Sequence, residues 1–136
     1  MDKINLSNNV KFIFIISISL FLFQCNNYNE KKLGNGYVYF IDNEFILSTN
    51  GNYGDIPSKV INYNNNTKFI IASQQPLKHD PNVLLYDSEA IYNNGYDNVY
   101  YWIIIKKKDK VLGPMTKDEY MSARKKHNVP EKLRIE

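Results

Sequence analysis

Few side chains here have types and spacing suited to chemistry. Cys25 is the only cysteine, and His79 and His127 are the two histidines. One thiol cannot close a disulfide within the chain. Zinc sites made of four cysteines, or of two cysteines and two histidines, are excluded by the same count. His79 beside Asp80 offers a general acid–base pair or a pair of metal ligands. Neither His-x-x-x-His nor His-x-His spacing supports a metal, so loop residues ahead of Pro81 are the better reading. His127 reads as a charge partner at a helix C-terminus. Ser48, Ser58, Ser73, Ser88 and Ser122 all lack the Gly-x-Ser-x-Gly context of a nucleophile elbow. Gly34-Asn35-Gly36 is too short for a phosphate loop and precedes a strand rather than a helix. Asn5-Leu6-Ser7 and Asn65-Asn66-Thr67 match the glycosylation acceptor but carry little weight. The expectation is a non-enzyme with no catalytic residue, no metal and no cofactor.

Binding chemistry is better represented. The chain has 11 Tyr, 7 Phe and a single Trp. Tyr37, Tyr39, Tyr53, Tyr63, Tyr86, Tyr92 and Tyr96 are candidates for stacking surfaces toward sugar or peptide, although sheet packing accounts for most of them. The lysines of Lys106-Lys107-Lys108-Asp109-Lys110 suit anionic lipid or glycan, but read better as a solvated hairpin tip. The formal charge is +3, from 17 basic against 14 acidic residues, too small a balance to support a nucleic-acid partner.

Cys25 gains meaning from what precedes it. Lys3 and Lys11 give the start positive charge, residues 12–23 are apolar except for Ser17 and Ser19, and a polar stretch follows Cys25. A basic start, a short apolar run and a polar exit make the plan of a secretory signal peptide. As a helix the run extends about 18 Å, short of the roughly 30 Å hydrocarbon core. A permanent transmembrane helix is therefore disfavoured. Leu22-Phe23-Gln24-Cys25 resembles the lipobox of bacterial lipoproteins, with Gln24 where Gly, Ala or Ser is usual. The resemblance implies a diacylglycerol thioether on Cys25, cleavage after Gln24 and acylation, such as palmitate, at the new amino terminus. Several acyl chains make a stable anchor where one is marginal.

The elements that would present these residues follow. Residues 1–24 are read as signal peptide, 25–36 as a lipidated tether, and 37–136 as a single domain. Tyr37–Ile41, Glu44–Thr49, Val60–Tyr63 and Lys68–Ser73 have the β-branched and aromatic content of strands. Residues 83–86 suggest a short strand and residues 87–92 a short helix. Val99–Ile105 is apolar on both alternating faces, as in a strand buried on two sides. Val111-Leu112 begins its return, which Gly113-Pro114 is expected to stop. Thr116 and Glu119 are spaced as a capping box, with Met115 and Tyr120 as the hydrophobic staple of the helix that follows. Tyr120, Ala123 and His127 form its inward stripe, and Asn128 with Pro130 ends it. The fold class is α+β: an antiparallel sheet of about five or six strands, one C-terminal helix and room for a second short one.

The block Tyr100-Tyr101-Trp102-Ile103-Ile104-Ile105, followed by Val111-Leu112-Gly113-Pro114-Met115-Thr116 and Glu119-Tyr120, resembles the C-terminal signature of an uncharacterised family of small bacterial lipoproteins. It implies export and gives Gly113, Pro114, Thr116 and Glu119 a structural role. The strand–turn–Gly-Pro–helix order also distantly resembles GYF-like modules that bind proline-rich peptides, too briefly to transfer their binding residues. The expected function is a membrane-anchored interaction module, with its domain in the periplasm or at the cell surface of the envelope. Its expected partners are the membrane, through the anchor, and an envelope or secreted protein. An immunity or inhibitor lipoprotein against a periplasm-acting toxin is the alternative, and a small hydrolase around His79 and Asp80 the third.

Overall fold

The computed structural model describes residues 29–50, 55–78, 92–96 and 98–135. Gln24, Cys25, Tyr53, His79, Asp80, the strand expected over residues 83–86 and all but the last residue of the helix expected over residues 87–92 lie outside them. Among the described residues there are seven strands, one α-helix and a 3-10 turn at Lys106–Lys108: β1 (Glu30–Gly34), β2 (Tyr37–Phe40), β3 (Phe45–Ser48), β4 (Val60–Asn65), β5 (Phe69–Gln74), β6 (Tyr100–Ile105), β7 (Lys110–Met115) and α1 (Lys117–Lys126). The α+β class stands, but the strands form two antiparallel sheets instead of one. Their orders are β1-β2-β3 and β4-β5-β6-β7.

The reason for two sheets lies in β5 and β6. Along β5, Ile70 and Ala72 alternate with Phe69 and Ile71, and all four are buried. Along β6, Trp102 and Ile104 alternate with Ile103 in the same way. Strands apolar on both faces need cover on both. One face packs Ile70, Trp102 and Ile104 against Leu33, Tyr37 and Ile46 of the three-stranded sheet. The other packs Phe69, Ile71 and Ile103 against Tyr120 of α1 and against Val129 and Leu133 beyond it. The result is three layers with two cores.

β1 corrects the tether reading. Glu30–Gly34 pairs with β2, and Leu33 is fully buried, so ordered structure begins well before residue 37. Gly34-Asn35-Gly36 is the turn between β1 and β2, with φ of 87°, 53° and 78°, a left-handed run that glycine adopts without steric cost. β7 corrects a second expectation. The strand runs through Gly113-Pro114 to Met115, with an irregular register opposite Tyr101–Ile103. Gly113 has φ of 136°, and a Cβ there would stand 2.5 Å from the Trp102 ring. Only glycine lets β7 lie this close over that indole.

α1 forms as its local chemistry directs. Thr116 Oγ1 accepts from the Glu119 amide, while Glu119 Oε2 accepts from the Thr116 amide at 2.8 Å. This capping box holds the Glu119 carboxyl below its usual range. Arg124, Lys125 and Lys126 occupy the last turn, where cations meet the negative end of the helix dipole. Asn128, at φ 55°, then turns the chain back across the sheet.

Candidate functional site

Gln74 and Lys106 are long polar side chains buried between the sheets. Gln74 Nε2 donates to the carbonyls of Pro57 and Ser58, at 3.1 and 2.9 Å. Its Oε1 accepts from Tyr92 Oη at 3.2 Å and Trp102 Nε1 at 2.8 Å. Every polar atom of the amide is therefore used, and two loops are fastened to β5. Lys106 continues the alternation Trp102, Ile104, Lys106 into the same core and is only 3% exposed. The expected solvated tip thus begins with a buried cation, because β6 places it on the inward face. Its Nζ donates to Leu33 O of β1 and, at 2.6 Å, to Asn66 O of the β4–β5 turn. Burial pushes its pKa down. Nearby, Tyr37 Oη donates to Asp109 at 3.4 Å. Burial, followed by the charge of Asp109, pushes the Tyr37 pKa up to about 12. Both arrangements brace the fold, tying strands and turns of the two sheets together.

A concavity lies on the opposite core, between α1 and the segment that follows it. Its volume is about 550 Å³. Tyr101 of β6 and Tyr120 of α1 form the floor, with ring centroids 5.0 Å apart and planes 25° from parallel. Met121, half-exposed, and Ile135 add apolar surface. Arg124 lies over the Tyr120 ring at 5.5 Å. Its Nη1 donates to Tyr120 Oη at 2.9 Å and its Nη2 to Pro130 O at 2.8 Å. Burial raises the Tyr120 pKa, and the Arg124 guanidinium opposes that rise. Lys117 stands on the helix wall; Glu131 and Arg134 stand on the other. Asn64 Nδ2 donates to Arg134 O at 2.9 Å, tying that wall to β4.

A second, shallower cleft of about 300 Å³ lies at the β4 edge. Tyr39 of β2 and Tyr63 of β4 meet there at 4.5 Å, with Lys31 Nζ 5.3 Å from the Tyr63 ring. Of the tyrosines expected to present stacking surfaces, Tyr39, Tyr63 and Tyr96 are partly exposed. Tyr37 and Tyr92 are core residues at 1% and 3% exposure, in line with the sheet-packing reading of most of these side chains.

The remaining candidates do not converge. His127 caps α1 half-buried, and burial together with Lys110, Lys126 and Lys108 lowers its pKa. Among the described residues, no group of three or more His, Cys, Asp or Glu is placed to hold a metal. The groove was not anticipated as a site. Tyr120 and Arg124, four residues apart on one helix face, carried its local signal, but Tyr101 and Arg134 join them only through tertiary packing. No curated protein and no solved structure matches the chain. Residues 26–136 match a family described as a protein of unknown function, DUF3997, and the chain belongs to that family.

Proposed function

We propose that the chain is an exported, lipid-anchored, non-enzymatic interaction module that holds a segment of an envelope or secreted protein in the groove beside α1. The groove carries this reading. It combines an aromatic floor with charged walls, and the two walls are tied in place by hydrogen bonds from Arg124 and Asn64. Apolar floors with a few placed polar groups are the usual anatomy of recognition sites. The anchor rests on the leader and on Cys25, the one thiol, standing where lipidation needs it. Among the described residues no helix is long and apolar enough to cross a membrane. With Glu30 already in β1, the tether would be the few residues from Cys25 to Asn29.

Two measurements test the halves separately. Mass spectrometry of the mature N-terminus after fatty-acid labelling should find acyl groups on Cys25, and Cys25→Ala should abolish the label. A label that persists in that variant refutes the anchor. For the groove, crosslinking in intact cells should capture a partner that Met121→Asp no longer captures. Capture indifferent to Met121→Asp would move the binding face elsewhere.

A further inference from the structure

We infer that the groove takes an acidic peptide: a short extended segment whose carboxylates reach Lys117 and Arg134, with an apolar side chain between them on Tyr101 and Met121. The inference rests on the groove being the binding face and adds the chemistry of the occupant.

Charge makes the first argument. Among the described residues, three cations, Lys117, Arg124 and Arg134, line the groove against one carboxylate, Glu131. The ion pair formed among the described residues, Lys59 with Glu44, lies elsewhere, so Lys117 and Arg134 have no acidic partner there. Arg134 Nε donates to the Glu131 carbonyl at 3.0 Å, which fixes that side chain on its wall through one nitrogen. Arg124 is committed at both terminal nitrogens. Its guanidinium is held by Tyr120 Oη and Pro130 O, so it shapes the groove and supplies field. Lys117 and Arg134 are exposed and stand on opposite walls, one on α1 and one on the C-terminal segment. Anionic groups spaced along one ligand satisfy both.

Dimensions and floor make the second. α1 has 10 residues, about 15 Å of helix. A peptide lying alongside it presents about four or five residues at roughly 3.3 Å each. A free phosphate would leave the apolar floor uncovered. A lipid headgroup would meet the cations but has no side chain to seat on Tyr101. Glu131 sets the register, since a ligand carboxylate placed beside it would be repelled.

The test is panning of displayed random short peptides over the full chain solubilised in detergent, repeated with Lys117→Glu/Arg134→Glu and with Met121→Asp. These positions are exposed, and unchanged thermal unfolding confirms that the variants remain folded. The expected result is enrichment of peptides bearing Asp or Glu around an apolar residue. Their affinity should fall about tenfold or more in the charge-reversed variant and return when the peptide acids are changed to Lys. Neutral or proline-rich binders that depend on Met121 but not on the cations would overturn the acidic inference and leave the groove standing. Binding to phosphatidylglycerol vesicles that needs Lys117 and Arg134, without any peptide enrichment, would overturn it in favour of a membrane surface. Selected peptides indifferent to all three substitutions would overturn both the occupant and the groove.

Discussion

The Gln74 side chain is buried completely and holds four hydrogen-bond partners, two backbone carbonyls and two aromatic side chains. A network this closed is strong because each member is satisfied, and fragile because losing one strands the rest. Gln74→Leu keeps the volume but leaves the Trp102 Nε1 hydrogen without its acceptor in a dry core. An unpaired buried group costs about 1–3 kcal/mol, so the variant should unfold about 3 kcal/mol more easily in urea. Its Trp102 fluorescence should also shift. A loss below about 1 kcal/mol would mean that water reaches the site. Lys106 is the other residue whose neighbours explain it. Its place in the Lys-rich run suggests solvent, while its parity with Trp102 and Ile104 places it in the core. Parity prevails because the pairing with the β5 side extends one residue past β6, the Lys106 amide donating to Lys68 O at 3.0 Å, and because two carbonyls need a donor there.

At the scale of elements, legibility followed how local the cause was. α1 was readable in full, since cap, staple and terminal charges all lie within a dozen consecutive residues. β2 to β6 were readable to within a few residues from alternation and turn composition. β1 was not. Glu30-Lys31-Lys32-Leu33-Gly34 has one core residue and a polar remainder, and only pairing with β2 makes it a strand. The groove was hidden for a related reason, because its walls are distant in sequence. The capping box allows a direct measurement. Thr116→Ala should cost about 1 kcal/mol, seen as a fall of about 4–8 °C in Tm by circular dichroism. Glu119 adds a pH signature. Its folded pKa lies below the usual 4.5, so its contribution is complete above that value and lost as pH falls through the lower, folded one. The gap between native chain and variant should hold steady above pH 4.5 and narrow below it. A gap independent of pH would show that Glu119 contributes nothing.

For the whole molecule, the three layers depend on β5 and β6 being covered on both sides. Shortening the chain to begin at Tyr37 tests this, since a tether over residues 25–36 would be dispensable. The shortened chain instead loses Leu33 from the core and the Leu33 carbonyl that Lys106 and Asn65 share. It should show no cooperative thermal transition, whereas a sharp transition near that of the native chain would restore the tether reading. The placement of β1 also has a mechanical consequence. In an antiparallel pair, a pull on Asn29 loads the β1–β2 bonds one after another from the Glu30 end, like a zipper. Lys106 and Asn65 grip that strand at Leu33, from the other sheet. Peeling therefore meets a rivet after a few residues, and the sheets beyond it stay unstrained until that rivet breaks.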